Sequence, residues 1–513
     1  MRIGIDVGGT NTDAVLMDGR KVVGWAKSPT TRDVSSGITN VLKAVLAQTK
    51  VAPSAISAVM LGTTHFTNAV VERKSLSRTA VVRVGLLATS ALPPFVDWPE
   101  DLHAAIGGIS YLVHGGYEFD GRPIAPLNLD EIREVAHKIR DAGITCVAVS
   151  SVFSPVNPDQ EKEVADLIAN EIPGANISLS HEIGRIGLLE RENAAAMNAC
   201  LSNLAVRIVQ SFRGALTGLG ITAPFFISQN DGTLMTADFV EKYPVLTFAS
   251  GPTNSMRGAA LLSGLKDAVV VDIGGTTSDV GVLTQGFPRE ASVAVRIGGV
   301  RTNFRMPDVL SFGLGGGSHV KTEPLQIGPQ SVGYEITSRA LVFGGNDLTT
   351  TDIAVAAGMA DIGDRSRVAH LDKTMVQSAL QRMWEMVEIS VDRMKTAAGA
   401  VPVILVGGGI ILIGDKLNGV SELHRPEHAG VANAIGAAIA QVGGEVDRVF
   451  NLEALGRDKA LEQAKEEAAQ RVLKEGGIPG TVEIVDVEEV PLAYLPGNAT
   501  RIRVKAVGDL AVE

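Results

Sequence analysis

The chain has 513 residues, of which 45% are apolar and 20% are charged, as in soluble globular proteins of two or three domains. Its formal net charge of −11 argues against a nucleic-acid partner, because such partners are normally bound through a basic surface. The longest apolar stretches are interrupted by glycine before they reach membrane-spanning length, and the N-terminus lacks a signal-peptide pattern, so we expect a cytoplasmic protein without a membrane segment.

A glycine pair near the N-terminus separates two strand-like runs. Residues 3–5 are apolar, Asp6 ends the run, Gly8 and Gly9 follow, and residues 14–17 are strand-like again, which predicts a β-hairpin. The dinucleotide fingerprint and the P-loop instead lead from a strand into a helix, and no Walker A string surrounds this motif. Because glycines allow close approach of backbone amides, we expect this turn to bind phosphate. The residues assigned to this role are Gly8, Gly9, Thr10 and Asn11.

Helical and strand-like patterns then alternate up to about residue 250. Residues 22–26 predict a third strand of a meander, 37–48 a helix, and 59–62 a strand that runs into a Gly-Thr-Thr loop. Residues 93–120 are rich in Pro, Trp and Gly and predict an irregular segment, either a mobile loop on the substrate side or, more simply, a surface excursion. A long amphipathic helix is expected over 188–216. This alternation is typical of an α/β fold.

The Gly-Thr-Thr loop places polar side chains directly after a buried strand. Thr63, Thr64 and Asn68 are the candidates here, and the family resemblance described below implies that they contact a substrate or the γ-phosphate. His65 lies in the same loop and is a candidate acid or base, although a lone histidine is more often a structural hydrogen-bonding group.

Two features that could suggest a disulfide or a metal site have simpler explanations. Cys146 and Cys200 are isolated in apolar surroundings, which predicts buried thiols. The string from His424 to His428 matches the H-x-x-E-H zinc-peptidase pattern, but that chemistry needs an unbroken helix, and Pro426 lies between the two histidines. We therefore expect no zinc site there.

The hairpin motif recurs far downstream. Residues 272–279 repeat the Asp-x-Gly-Gly-Thr-x-x-Asp pattern of residues 6–13. A single copy could be an ordinary polar hairpin, but two matched copies predict two phosphate loops that approach one nucleotide from opposite lobes. The second loop adds the phosphate contacts Gly274, Gly275, Thr276 and Thr277.

The repeated carboxylates have separate expected roles. Asp6 and Asp272 end their strands and can hold Mg²⁺, usually through water, because magnesium retains several waters and takes few carboxylates. Asp13 and Asp279 either position water or cap the turns, and the sequence does not separate these two roles.

A third glycine-rich stretch and two helices rich in small residues complete the expected nucleotide site. Residues 403–406 predict a buried strand that ends in a glycine triplet suited to adenosine contact. Residues 251–264 and 429–438 predict helices rich in small residues, and the superfamily resemblance described below implies that they connect the lobes. The triplet consists of Gly407, Gly408 and Gly409.

The tail of the chain has a different composition. Residues 460–474 predict a highly charged helix, and residues 482–485 and 501–505 alternate as half-buried strands. We expect residues 446–513 to form a small α+β appendage.

With these landmarks the chain resembles the sugar kinase, actin and heat-shock chaperone superfamily. Within it, the chain resembles the hydantoinase/oxoprolinase A family, which includes the A subunit of ATP-dependent N-methylhydantoinase, the first part of 5-oxoprolinase and the β subunit of acetone carboxylase. The motifs that carry the resemblance are residues 6–13, 62–64, 67–68, 72–73, 190–191, 231–235, 250–252, 272–279, 315–318, 351–352, 407–409 and 429–431.

The resemblance implies a two-lobed, actin-like (ribonuclease H-like) α/β ATPase fold with duplicated β-hairpin phosphate loops. The expected divisions are an N-terminal domain over 1–180, a hydantoinase A-type domain over 181–445, and the appendage. Three departures fall on parts expected to face the substrate. Leu61 stands where the family has histidine, His65 where it has a small residue, and residues 339–345 replace a stretch with proline and cysteine.

The resemblance also implies a reaction. ATP with Mg²⁺ would phosphorylate the oxygen of an amide, lactam or ketone, which prepares the carbon for hydrolysis or carboxylation. A hydantoinase B-type partner subunit and an oligomeric assembly are expected. Two alternatives stay open: a small-molecule kinase whose phosphorylated product leaves, and a non-catalytic ATP-dependent switch or reactivase that acts on a protein partner.

Overall fold

A computed structural model describes residues 1–9, 11–30, 34–291 and 295–511. Thr10, one of the predicted phosphate contacts, lies outside the described residues. The described part of the chain contains a nine-stranded sheet, a six-stranded sheet and a four-stranded sheet, together with two small two-stranded ribbons.

The first hairpin belongs to an antiparallel meander with one parallel neighbour. Strands β1 and β2 pair so that Asp6 lies opposite Asp13, and β4 runs parallel to β1 with Gly62 opposite Asp6. The predicted hairpin and third strand are therefore confirmed. The elements are β1 (Arg2–Val7), β2 (Asn11–Asp18), β3 (Lys21–Pro29), α1 (Val34–Thr49), β4 (Ala58–Thr63) and α2 (His65–Glu72).

A four-stranded parallel sheet in the order β6-β5-β7-β8 follows. The prediction of an irregular region over 93–120 is wrong in part, because this region contains α3 and β6. Strand β6 is an edge strand of mixed exposure, so it shows neither a buried run nor clear alternation. The elements are β5 (Thr79–Leu86), α3 (Glu100–Ala105), β6 (Ile109–His114), α4 (Leu129–Asp141), β7 (Cys146–Ser151), α5 (Asp159–Glu171) and β8 (Asn176–Leu179).

A long central helix joins the first two sheets. Helix α7 packs its apolar residues against both, in one cluster that contains Ile5 of the large sheet and Val81 of the four-stranded sheet. It also carries Glu192, which forms a fully buried ion pair with Arg83. The elements are α6 (Ser180–Ile183), α7 (Leu188–Gly218), β9 (Phe225–Ser228), β10 (Thr233–Thr236), α8 (Ala237–Lys242) and α9 (Ser250–Ser263).

The second hairpin repeats the topology of the first. Strands β11 and β12 pair antiparallel with Asp272 opposite Asp279, and β19 runs parallel to β11, as β4 does beside β1. Among the described residues the elements that follow α9 are β11 (Ala268–Ile273), β12 (Ser278–Thr284), β13 (Phe287–Pro288), β14 (Val295–Ile297), β15 (Val300–Thr302), β16 (Val309–Phe312), β17 (Ser318–Thr322), β18 (Leu325–Ser331), α10 (Ile336–Arg339), α11 (Thr350–Ala356), α12 (Lys373–Met394), β19 (Val401–Val406), β20 (Val420–His424) and α13 (Ala432–Ala438).

The C-terminal region is α+β, as expected, but it is not a separate unit. Strand β21 pairs in parallel with β10, so the large sheet runs β22-β23-β21-β10-β9-β4-β1-β2-β3. The predicted boundaries at 181 and 446 thus cut through one sheet, which takes β9 and β10 from the predicted middle domain. The elements are β21 (Gln441–Asn451), α14 (Leu452–Leu455), α15 (Arg457–Lys474), β22 (Glu483–Pro491) and β23 (Ala499–Gly508).

Several smaller expectations are also settled. Both cysteines are buried free thiols. The zinc-peptidase string is not helical, since His424 ends β20 and His428 has a left-handed backbone. Over the described ranges, no helix is both long enough and apolar enough to cross a bilayer.

Candidate functional site

The two connecting helices cross with their backbones in direct contact. A methyl group added at Gly436 of α13 would lie 1.8 Å from the carbonyl oxygen of Asn254 on α9. One added at Gly258 of α9 would lie 1.9 Å from the carbonyl oxygen of Ala432. The small residues of these segments therefore allow the two helices to pack closely. Helix α13 also packs on β1 and β2, and α9 packs on β11 and β12, so the crossing lies between the two hairpins.

The two hairpin turns have the same backbone hydrogen bond. The N–H of Gly8 donates to the carbonyl oxygen of Asn11 at 3.0 Å, and the N–H of Gly274 donates to that of Thr277 at 2.9 Å. A methyl group at Gly9 would have no described atom within 4 Å, so this part of the first turn faces open space. The sequence repeat is thus a repeat of three-dimensional structure.

Asp6 is buried near the end of β1, and among the described residues only one of its two carboxylate oxygens has a hydrogen-bond partner. Asn433 of α13 donates to its Oδ2 at 2.8 Å, whereas Oδ1 has no hydrogen-bond partner among the described residues. Burial, reinforced by the negative charges of Asp13 and Asp272, raises the pKa of Asp6 to about 7. An unpartnered buried carboxylate oxygen is costly in isolation and is suited to a cation or its water.

Asp272 has matching surroundings in the second lobe. Ser255 of α9 donates to its Oδ2, and a methyl group at Gly407 would lie 2.3 Å from its Oδ1. Gly62 has the same relation to Asp6, at 2.5 Å from Oδ1. Burial raises the pKa of Asp272, and the hydroxyl of Ser255 opposes that rise. Each aspartate is therefore held by a connecting helix and lies over a glycine of the parallel strand or of the loop that follows it.

The second aspartate of each motif interacts across the sheet. Lys27 of β3 donates to both carboxylate oxygens of Asp13 at 2.8 Å, and Ser311 of β16 donates to Asp279. Burial raises the pKa of Asp13 against the lowering effect of Lys27, and it raises the pKa of Asp279 to about 6. These contacts lie on neighbouring strands and not within the turns. The two motifs thus differ in charge: one carries an ion pair, the other a carboxylate bonded to a hydroxyl.

The predicted Gly-Thr-Thr loop is shorter than expected, because Gly62 and Thr63 end β4 and α2 begins at His65, so only Thr64 lies between strand and helix, beside the first hairpin. The hydroxyl of Thr64 donates to the carbonyl oxygen of Val7 at 3.2 Å. The hydroxyl of Thr63 is 2.6 Å from Nδ1 of His65, and Asn68 donates to the hydroxyl of Thr64 at 3.4 Å. Thr63 is buried and Asn68 is exposed. Burial lowers the pKa of His65 to about 4, so its imidazole is neutral at pH 7.

The three glycines of residues 407–409 have different surroundings: the first and third pack against neighbouring residues, and the second is exposed. Gly407 has a left-handed backbone with φ of 90°, and a methyl group at Gly409 would lie 2.4 Å from Cγ2 of Ile273. Gly408 is exposed, and a methyl group there would meet no described atom within 4 Å. Of the three predicted adenosine contacts, Gly408 therefore has the most accessible backbone.

A loop that was not among the predicted site residues supports the second hairpin. The N–H groups of Gly316 and Gly317 donate to the carbonyl oxygens of Gly274 and Gly275 at 3.0 and 2.7 Å. The hydroxyl of Thr351 in turn donates to the carbonyl oxygen of Gly316 at 2.8 Å. The triple glycine of residues 315–317 was the available signal, because only glycine allows this backbone-to-backbone contact.

A separate charged cavity of about 550 Å³ lies next to the C-terminal strands. Its wall includes Asp231, Arg305, Asp447, Arg501 and Lys505, several of which pair with one another, and no predicted site residue lines it. The predicted nucleotide site is instead the cleft between the two hairpins. In the described ranges, no cluster of three or more His, Cys, Asp or Glu side chains could by itself hold a metal ion.

Two family models match the chain. The hydantoinase/oxoprolinase N-terminal region matches residues 2–172, and hydantoinase/oxoprolinase matches residues 191–394. The chain belongs to the hydantoinase/oxoprolinase family. This confirms the resemblance drawn from the motifs, and the two matched regions contain both hairpins and the Gly-Thr-Thr loop.

Named relatives of this family member include subunits of larger enzymes. The acetophenone carboxylase γ subunit of Aromatoleum aromaticum is 27% identical over 401 residues, which cover 69% of this chain and 53% of that protein. The caprolactamase α subunit of Pseudomonas jessenii is 26% identical over 473 residues, which cover 85% of this chain and 65% of that protein. The chain thus spans about half to two thirds of the length of these relatives.

A solved structure gives the fold. The crystal structure of ATP-dependent caprolactamase from Pseudomonas jessenii has a TM-score of 0.80 and 19% identity, and the match covers 100% of this chain and 88% of that one. Together with the duplicated strand order around each hairpin, this confirms the predicted two-lobed α/β fold.

Proposed function

We propose that this family member binds ATP in the cleft between its two hairpins and transfers the γ-phosphoryl group to the oxygen of an amide, lactam or ketone. The observation that carries the proposal is the matched pair of Asp6 and Asp272. Asp6 is buried and Asp272 is half-buried near the ends of equivalent strands, and the charge of Asp272 raises the pKa of Asp6, so the two carboxylates lie close enough to interact.

The residues present fit a magnesium ion. Asp6 Oδ1 is buried without a partner among the described residues, and magnesium commonly takes one or two carboxylates and fills its remaining positions with water and phosphate oxygens. Asp6 and Asp272 would hold the ion. When bound, it would neutralise charge on the phosphate oxygens during transfer.

The hairpin backbones supply the phosphate contacts in this proposal. The N–H groups of Gly9 and Gly275 would donate to phosphate oxygens, while those of Gly8 and Gly274 close the turns, and none of the four residues has a side chain to keep phosphate oxygens away. Thr10, Asn11, Thr276 and Thr277 would add further contacts, and the glycines at 407–409 would contact adenosine. The loop of residues 315–317 fixes the carbonyl oxygens of the second hairpin, so the amide groups of that hairpin are oriented before the nucleotide arrives.

The chemistry proposed is substrate activation. An unstrained amide or lactam carbon resists attack by water, and transfer of the phosphoryl group to its oxygen, with release of ADP, leaves a carbon whose oxygen can depart as phosphate. With a ketone, the same transfer accompanied by loss of an α-proton would give an enol phosphate, whose α-carbon can be carboxylated. Asp13 or Asp279 would position water, and Thr64 and Asn68 would contact the substrate, while Thr63 is buried and would act through its contact with His65. His65 is neutral, so it would act as a hydrogen-bonding partner of Thr63 and not as a cation.

The names of the relatives support this reaction class and an enzyme that is built from more than one kind of subunit. One is named as a carboxylase subunit and another as a caprolactamase subunit, and the caprolactamase of known structure is named as an ATP-dependent enzyme. We therefore propose that the chain is the A-type subunit of such an enzyme. A B-type partner would complete the hydrolysis or carboxylation step.

The test is ADP formation by the purified chain with Mg²⁺, alone and with hydantoins, 5-oxoproline, caprolactam, or ketones plus bicarbonate. Stimulation by one class is expected, and Asp272→Asn should abolish it. Asp18→Asn is the matched control, because Asp18 is exposed at the far end of β2. A phosphorylated product that accumulates would indicate the kinase alternative, and nucleotide binding without stimulation, even with a B-type partner present, would indicate the switch.

A further inference from the structure

Asn254 is a fully buried polar side chain without hydrogen bonds. It lies on α9, its residue is 0% exposed, and neither its amide nitrogen nor its amide oxygen has a partner among the described residues. An asparagine amide can donate two hydrogen bonds and accept two. A buried amide that makes none of them is costly for folding, so such a group calls for a ligand or a water.

The side chain lies next to the other unpartnered atom of the cleft. A methyl group at Gly62 would lie 2.6 Å from Nδ2 of Asn254 and 2.5 Å from Oδ1 of Asp6. Both polar groups therefore flank the same glycine of β4. The next residue of α9, Ser255, donates to Asp272, so consecutive residues of one helix reach the two aspartates.

Packing alone does not account for an asparagine here. The contact that fixes the helix crossing uses the backbone carbonyl of Asn254, which faces Gly436. The side chain points to a different neighbour, and a small apolar residue would fill this space without leaving polar atoms unpaired.

We propose that Asn254 is a binding residue for the hydrated cation of the nucleotide complex, a proposal that rests on the function proposed above. When the ion is bound, its water shell would supply the hydrogen bonds that Oδ1 of Asp6 and the amide of Asn254 lack among the described residues.

The experiment compares Asn254→Ala with Asn198→Ala. Asn198 is also a buried asparagine, but its amide is fully engaged, donating to Ser178 and to the carbonyl oxygen of Lys242 and accepting from the N–H of Val245. Two quantities are measured for each protein: the thermal midpoint without ligand, and the Kd of a non-hydrolysable ATP analogue by calorimetry, with Mg²⁺ and with EDTA.

For Asn254→Ala we expect an unchanged or higher midpoint and a Kd about tenfold weaker with Mg²⁺ but unchanged with EDTA. For Asn198→Ala we expect a lower midpoint and an unchanged Kd. A lower midpoint with wild-type affinity in Asn254→Ala would overturn the proposal and assign the side chain to folding.

A second variant keeps the test decisive if the alanine protein is unstable. Asn254→Asp has nearly the same shape and places a second carboxylate beside Asp6, so the analogue should bind more weakly with EDTA and recover with Mg²⁺. Equal affinities in the two conditions would contradict the proposal. If the wild-type chain binds no nucleotide at all, the proposed function fails as well, and this result is distinct from a wild type that binds and an Asn254 variant that binds equally.

Discussion

The crossing of α9 and α13 predicts a large effect for one methyl group. Gly436→Ala would place a carbon 1.8 Å from a backbone oxygen and 2.6 Å from the carbonyl carbon of Asn254. Because non-bonded carbon and oxygen atoms rarely approach closer than about 3 Å, the helices must separate by about 1 Å. Overpacking by one methylene costs about 1–3 kcal/mol, and a rigid backbone neighbour places this change near the upper limit.

The assay is thermal and urea unfolding of the ligand-free chain. We expect Gly436→Ala to lower the free energy of unfolding by about 3 kcal/mol and the thermal midpoint by about 5 °C. Gly214→Ala is the matched control, because Gly214 is an exposed position of α7 where an added methyl group meets no described atom within 4 Å. Alanine there should stabilise the protein by about 0.5–1 kcal/mol, since it is the better helix former.

The two substitutions therefore have opposite expected signs. Wild-type stability or better in Gly436→Ala would refute the close crossing. Weaker Mg²⁺-nucleotide binding should accompany the loss of stability, because α9 and α13 also hold Ser255 and Asn433 against the two aspartates.

Two further predictions concern buried charge. The pKa of His65 is lowered to about 4, so this side chain binds a proton more tightly in the unfolded chain than in the folded one. The stability that the neutral imidazole contributes is therefore complete above about pH 6.5 and is lost as the pH falls toward 4. Between pH 7 and pH 4.5, the free energy of unfolding measured with urea should therefore fall by about 1–2 kcal/mol less in His65→Gln than in the wild type. Parallel pH profiles for the two proteins would contradict this. Glu192→Ala leaves the guanidinium of Arg83 buried and unpaired, which should cost about 3–5 kcal/mol, whereas the pair Arg83→Met and Glu192→Leu should recover most of it. If the double variant instead loses as much stability in thermal unfolding as the two single variants together, apolar packing cannot replace the ion pair.

The repeated motif made most of the fold and the location of the candidate site predictable. An Asp-x-Gly-Gly-Thr string between two strand-like runs is a local signal, and its recurrence at residue 272 predicted a duplicated structure that the strand order confirms. The helices α9 and α13 were likewise predictable from their runs of small residues. These features depend on neighbours within a few residues, which a sequence pattern records.

The features that could not be predicted from the sequence depend on contacts between residues that are far apart in the chain. Nothing local to β21 specifies that it pairs with β10, about two hundred residues earlier, so the C-terminal strands were expected to be separate. The helical pattern of α9 similarly gives no sign that Ser255 faces Asp272 while Asn254 faces Gly62. The different partners of Asp13 and Asp279 come from β3 and β16, outside the repeated motif.

The continuity of the large sheet has a consequence for the order in which the protein can assemble. Arg2 donates to the carbonyl oxygen of Leu510 at 3.1 Å, and the free edge of β10 is covered only when β21 has been made. During synthesis the second lobe can therefore close around its own hairpin while the first lobe still has an open sheet edge. Such an edge is a site for incorrect strand pairing, so the interval before residue 511 emerges is when a chaperone would be most useful.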